Sequence, residues 1–403
     1  MLSGRTDVLV LGAGPAGSAL AIRLARMGVS VVLVDRERFP RPKPCAEYLS
    51  PETLRHLDML GVLGRAETEG GFGLAGTRVI GPRGSELTGR FDAAGGAPFR
   101  PTGLSIPRTV LDHTLVEAAR EAGAQVHEGL TARALLGDRR TDGAVLVDRD
   151  GREHSVRAAV TIGADGVRSI VARRIGGVRQ GPLRRFALVG HLSGVEGLGD
   201  LAEMHVGPAG YVGVNPMKGG VANVALVLPR ERLHAAAGRI KDFFFEALDT
   251  FASLRGRIPR DGLQGRLEVT GPFDVRARRV IADGALLVGD AAGFFDPFTG
   301  EGICTAFHSA ELAAGVLARA LAGPGKPDAG SLREYAAARR DAFRGKEAVE
   351  RLIGWGMLAP ALFDRAVERL ERRNRAHTLI GVTGRFLPAR RVLNPAYLAG
   401  MVW

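Results

Sequence analysis

An α/β fold is predicted for this 403-residue chain: a Rossmann-like nucleotide-binding domain with an inserted β-sheet domain and C-terminal helices. Three observations carry the prediction. A strand, a glycine loop, a helix and a second strand open the chain. A second strand–turn–helix stands nearly three hundred residues later. Between them, from about 183 to 228, short apolar strands alternate with Gly/Pro turns, as in a sheet. The expected division is a discontinuous nucleotide-binding domain over 1–75, 100–178 and 272–330, a substrate sheet over 76–99 and 179–271, and a helical region over 331–403.

In the first unit, Val8 to Leu11 form an apolar β-branched run that reads as a buried parallel strand. Gly12-x-Gly14-x-x-Gly17 follows at once. Gly12 permits the tight turn, Gly14 lets a pyrophosphate approach the backbone, and Gly17 allows close helix–strand packing. Pro15 and Ala16 open the helix, whose first N–H groups face phosphate, and it runs to about Met27 before Gly28. Val31 to Val34 form the second strand. Asp35, beside Arg36, is placed to bind ribose hydroxyls. A similar glycine triplet, Gly71-x-Gly73-x-x-Gly76, leads into the strand-like TRVI and not a helix, so it is rejected as a nucleotide site.

In the second unit, Ala285 to Val288 are a buried strand and Gly289-Asp290 follow, the carboxylate placed for a sugar or ribityl hydroxyl. Pro297, Gly300 and Gly302 shape a loop that opens a helix at Gly302-Ile303, running to about Leu321. Its N-terminus favours negative charge developing on a reduced flavin ring. Taken in this order, the two units read as the two ends of one FAD site. Between them, a strand ends in Asp165-Gly166 and turns into a short basic helix with Arg168 and Ser169.

The set GxGxxG, Ala-Asp-Gly-x-x-Ser and GDAAGxxxPxxGEGI resembles the para-hydroxybenzoate-hydroxylase-like flavoproteins, over the chain to about residue 345. Within them it is most similar to the geranylgeranyl reductase branch and its polyketide and phenolic-lipid hydroxylase relatives. Lys43-Pro-Cys45-Ala46-Glu47-Tyr48-Leu-Ser-Pro51 resembles that branch's Cys-Gly-x-Gly-Leu-Ser stretch, and Gly210-Tyr211-x-Gly213-x-Asn215-Pro216 its Gly-Tyr-x-Trp-x-Phe-Pro stretch. The resemblance implies that Cys45 and Ala46 border the flavin, that Arg108 contacts FAD, and that Asp165 and Arg168 serve FAD and NAD(P)H together. Ala46 and Tyr48 replace glycines, and Gly213 and Asn215 replace Trp and Phe, making a smaller, more polar wall that suits a phenol. The halogenase branch needs Trp-x-Trp-x-Ile-Pro, and the only tryptophans are Trp355 and Trp403.

The candidate catalytic residues are Cys45, Glu47, Tyr48, Tyr211 and Asn215. Cys45 could tune the flavin or close a turn. Glu47 is either an acid–base group or a loop carboxylate paired with an arginine. Tyr211 and Asn215 share one strand face and could hydrogen-bond a phenol. His205, Cys304 and His308 are weaker candidates. The expected activity is an FAD-dependent monooxygenase using NAD(P)H and O2 on an aromatic, polyketide-like or phenolic-lipid substrate of secondary metabolism. The alternative is a reductase of isoprenoid or enone double bonds.

Of the other elements, Ser50-Pro51 cap a helix to Leu60, residues 76–92 form a hairpin, and Ile106 to Ala122 form a helix. Residues 143–162 are two strands, and about Glu231 to Phe251 is a helix. Ser331 caps a helix to about Ile353, and a last helix spans about Ala359 to Arg375. The stretch Leu352 to Phe363 is read as a pocket lid or core helix, with peripheral membrane contact as the other reading.

A chain that is 45% apolar can bury a large core. No leader is seen, and no apolar run reaches the roughly 18–20 residues that span a bilayer. Two cysteines, Cys45 and Cys304, argue for a reducing, cytoplasmic compartment. No metal-ligand spacing occurs, so no metal is expected. The net charge of +12 comes mostly from arginines spread through every segment, so no nucleic-acid partner is inferred.

Overall fold

The computed structural model describes every residue except Met1, Ser3, Ala209, Ala235, Ala237 and Trp403. Trp403, one of the two tryptophans weighed above, thus lies outside the described residues. Its largest sheet has eight strands. Arg5–Leu11 sits at its centre, parallel to Val31–Asp35 on one side and Glu153–Gly163 on the other. Ala285–Leu287 pairs beyond Glu153–Gly163, and Gln125–Glu128 beyond Val31–Asp35. The segments meant to bind one nucleotide therefore end side by side at the carboxyl ends of the parallel strands.

Helices Pro15–Arg26, Arg108–Glu121 and Gly302–Ala322 cover one face. Leu20, Ile22, Leu24, Leu111, Leu115 and Phe307 are fully buried there. At about 1.5–3 kcal/mol for each large apolar side chain, this layer is the main adhesive of the domain.

A seven-stranded sheet forms the second body, in the order Leu263–Thr270, Arg185–Ser193, Val221–Pro229, Gly210–Met217, Leu201–Gly207, Gly76–Ile80 and Glu86–Arg90. Its two faces are occupied differently because side chains alternate along each strand. Leu188, Leu192, Val212, Val214 and Val224 pack under helix Ile240–Asp249. Ala187, Val189, Tyr211, Ala225 and Val227 face the other way, towards Phe294, Phe298, Ile353 and Met357.

Several expectations need correction. The helix expected over 231–251 is broken: Arg230–His234 and Ile240–Asp249 are separated at Gly238, whose φ of +84° no helix accepts. Ser331 does not cap the next helix; its hydroxyl is held in a local turn with Asp328, and the helix is Arg333–Gly356. The helix expected last spans Pro360–Arg372, and two more follow it, Ala376–Thr383 and Pro395–Val402. Of the rejected glycine triplet, Gly73 and Gly76 lie in strands Phe72–Leu74 and Gly76–Ile80, and Gly71 caps the end of helix Leu63–Gly70.

Candidate functional site

The glycine loop is shaped by close contacts that no side chain would survive. Gly12 has φ +105°, and a Cβ there would lie 2.5 Å from the Ala164 carbonyl oxygen. A Cβ on Gly17 would lie 1.8 Å from the Gly12 oxygen. Gly14 differs: its Cβ would meet nothing nearer than Arg41 Nη2 at 3.9 Å, so its backbone faces open space. The amides of Ala16 and Gly17, in the first turn after Pro15, have no acceptor inside their own helix. Asp35 closes the loop, its carboxylate accepting from the N–H of Ala13 at 2.8 Å and of Glu37 at 2.9 Å. Each oxygen keeps a lone pair for a ribose hydroxyl.

Cations gather beside this cradle. Asp112, fully buried, accepts two hydrogen bonds from Arg108, at 2.8 Å from Nε and 2.7 Å from Nη2, and lies 3.2 Å from Arg41 Nη1. One carboxylate thus aims two guanidinium groups. Lys43, Arg41 and Arg36 share the neighbourhood, and the charges of Lys43 and Arg108 act on Asp290 against burial, which pushes its carboxyl up. An open glycine backbone, free first-turn amides and convergent cations fit the pyrophosphate of FAD. Across the loop, Gly300 has φ +70°, and the Tyr48 ring packs against it, 2.5 Å from where a Cβ would stand. Asp296 caps the turn Pro297–Thr299 by accepting from the Phe298 N–H, and Gly302-Ile303 begin the long helix. Asp165 and Arg168 are exposed; Asp165 accepts from the Ile170 N–H, and Arg168 donates to the Gly271 carbonyl.

The flavin-bordering loop is clipped to the second sheet. His191, Asn223 and Asn215 are register partners on three adjacent strands, so their side chains form one row. Asn215 Nδ2 donates to the Ala46 carbonyl at 3.0 Å, and Asn223 Nδ2 to the Cys45 carbonyl at 2.8 Å. Glu47 stands at the end of the row with φ +58° and is 3% exposed. Its Oε1 accepts from the Arg108 backbone N–H at 2.7 Å. Its Oε2 accepts from Asn223 Nδ2 at 3.0 Å and lies 2.6 Å from His191 Nε2. Of the two readings of Glu47, the arginine pair is not what forms: its side-chain partners are an imidazole and an amide. The hydrogen bond to Glu47 raises the His191 pKa, against desolvation.

Below this polar row the sheet face turns apolar. Val189, Ala225, Gly213 and Met204 are the next register row, and a Cβ on Gly213 would meet only the Met204 sulfur, at 3.4 Å. Tyr211 lies one row further and is closed off. Its hydroxyl donates to Asp296 Oδ1 at 2.6 Å, Arg185 holds the other oxygen at 2.9 Å, and Phe298 packs edge-on against the ring. A cavity of about 610 Å³ opens beside the polar row, bounded by Lys43, Pro44, Glu47, Pro107, Val189 and His191. Burial pushes the Cys45 thiol up, against the charge of Arg108.

His205 faces away from the cavity, paired with Glu203 and Ser253. Cys304 is buried, its thiol pushed up to about 12, and His308 packs against Phe343 beside Arg385. The sequence reading missed His191 and Asp112. Asp112 carried a signal, four residues after Arg108 on one helix face. His191 carried a weaker one: a lone imidazole on the face of a strand that also presents Ala187 and Val189.

Comparison with known proteins gives the family and the fold. The model of the family described as FAD binding domain matches residues 5–350. The digeranylgeranylglycerophospholipid reductase 1 of Methanococcoides burtonii is 31% identical over 327 residues, 78% of this chain and 75% of its own. In fold, the chain is similar to the flavin-dependent brominase Bmp2, with TM-score 0.81, 22% identity and 94% of each chain covered. It is also similar to Pseudomonas aeruginosa PqsL, solved in complex with 2-aminobenzoylacetate, with TM-score 0.72, 23% identity, and 89% and 98% of the chains covered. Glycine loop, acid, clustered cations and matched sequence lead to one assignment: the chain belongs to the FAD binding domain family and is an FAD-dependent oxidoreductase related to the geranylgeranyl reductases.

Proposed function

We propose that this protein is a monooxygenase that hydroxylates a phenolic, polyketide-like or phenolic-lipid substrate with NAD(P)H and O2. The observation that carries the reading is the Glu47–His191 pair on the wall of the large cavity. Bound FAD supplies the redox chemistry: two electrons from NAD(P)H, one oxygen atom of O2 into the product and the other into water. The chain's own residues handle the proton. Glu47 holds Nε2 of His191, which leaves Nδ1 to take the proton of a phenol and make the ring electron-rich. Val189, the member of the apolar row that lines the cavity, and Met217 and Val221 would bear the rest of the substrate.

A second reading is favoured by the relative named as a reductase. In it the same pair, protonated, gives a proton to one carbon of a double bond while hydride arrives at the other. The two readings demand opposite charge states of His191, so they differ in the sign of the pH dependence. For hydroxylation, turnover rises with pH through the raised His191 pKa; for reduction, it falls. The deciding experiment turns over a panel of alkylresorcinols and prenylated quinones under 18O2. Product carrying 18O with activity rising with pH supports hydroxylation. Oxygen-independent loss of a double bond, with activity falling with pH, overturns it.

A further inference from the structure

We propose that the hairpin joining helices Arg333–Gly356 and Pro360–Arg372 is a docking surface for membranes rich in anionic lipid. Leu352 to Phe363 contain no charged residue. Leu352 is 39% exposed, Trp355 48%, Leu358 55% and Leu362 43%. Among the described residues, these are four of the nine exposed large apolar side chains, all within eleven positions. Leu352 and Trp355 stand three residues apart on the first helix, Leu358 in the turn and Leu362 in the first turn of the second helix, and their exposure puts all four on the outer side of the hairpin. A cluster of this kind on a soluble surface marks an interaction site.

The rim identifies the occupant. Arg344 and Arg351 precede the tip on the first helix, and Arg365 and Arg369 follow Leu358 and Leu362 along the second. The exposed Arg83 of the neighbouring turn is held there through its backbone N–H, which donates to buried Asp364. Of the acidic groups nearby, Glu347 lies 3.6 Å from Arg351 and Glu368 3.7 Å from Arg372, while Glu350, paired with Lys346, and Asp364 are buried. Tryptophan and leucines at a tip, with cations around them, match the apolar boundary and the negative surface of a bilayer. No helix among the described residues is long and apolar enough to cross it. The inner side of the same hairpin presents Ile353, Met357 and Phe363 to the apolar face that holds Tyr211 and Phe298. Docking would therefore bring the bilayer to the helices that pack on this sheet face. The inference rests on exposed side chains and holds for either reaction.

The test uses full-length, FAD-loaded protein and flotation with phosphatidylcholine vesicles, with and without roughly 30% phosphatidylglycerol. Wild type should float with the anionic vesicles. The triple variant Trp355→Ser, Leu358→Ser, Leu362→Ser, whose charge is unchanged, should bind at least about tenfold more weakly. In a Trp403→Phe background, Trp355 emission should shift to the blue on vesicles. Equal binding by the triple variant would leave only non-specific attraction by net charge and overturn the proposal. So would an unshifted Trp355, which decides the matter even if the triple variant folds poorly. A dimer that falls apart in the triple variant would instead assign the patch to a second copy of the chain.

Discussion

Replacing Glu47 with Gln isolates the proton-handling pair with almost no change of shape. Glu47 is 3% exposed and accepts from three donors. A glutamine oxygen still accepts from the Arg108 N–H, but its NH2 then faces two groups that were donors, Asn223 Nδ2 and His191 Nε2. His191 can relieve its contact only by moving its proton to Nδ1, which removes the lone pair that would receive a substrate proton. Losing charge-assisted hydrogen bonds at a buried site costs about 1.5–3 kcal/mol each, so roughly 2–4 kcal/mol of stability is at stake after relaxation. Losing a positioned general base costs about 10²–10⁴ in turnover. The pH dependence has a definite sign. Glu47 raises the folded-state pKa of His191, so the pair stabilises the fold fully below the unfolded imidazole value and less as pH rises through the folded one. The melting deficit of Glu47→Gln should therefore be largest in acid and shrink in base, while the activity inflection moves down. The assay is kcat/KM against pH beside thermal melting. A variant that keeps turnover within about threefold, with the wild-type inflection, would refute the role, since the smallest expected loss is about a hundredfold.

Other outcomes follow from single contacts. Gly12→Ala places a Cβ 2.5 Å from a carbonyl at positive φ and should abolish folding, whereas Gly14→Ala, in open space, should melt like wild-type apoprotein yet bind FAD at least about tenfold more weakly in a flavin titration. Burial lifts Glu301 from 4.5 to about 7, so its contribution is complete below 4.5 and lost as pH rises through about 7. That difference corresponds to about 3 kcal/mol, and Glu301→Gln should match wild type in acid and melt higher in base. Tyr211→Phe removes one hydrogen bond to Asp296, which keeps Arg185. It should cost about 1.5–3 kcal/mol in melting and leave the pH profile of turnover unmoved; a shifted profile would place the Tyr211 hydroxyl in proton transfer.

Local chemistry was legible in the sequence, and long-range register was not. The glycine loop, Asp35, the Gly289-Asp290 turn and the helix at Gly302 are written in contiguous residues, and their elements form where the patterns place them. The Glu47–His191 contact joins residues 144 apart and exists only because three strands align His191, Asn223 and Asn215. Asn215 drew notice as a polar replacement in a pocket wall, but its amide nitrogen is engaged with the Ala46 carbonyl. The last two helices escaped notice because they are short, and Ala376–Thr383 is apolar on most sides and offers no stripe.

The order of strands in the large sheet sets a timetable for biosynthesis. The first strand cannot pair with Glu153–Gly163 until that segment exists, and the sheet is not closed until Ala285–Leu287 emerges. At about 5–20 residues per second, the nascent chain carries unpaired apolar strands for roughly 15–60 seconds before a nucleotide can bind. Parallel pairings this distant are slow to form and expose sticky edges meanwhile. Chaperone supply during that interval should therefore raise the soluble yield of this protein.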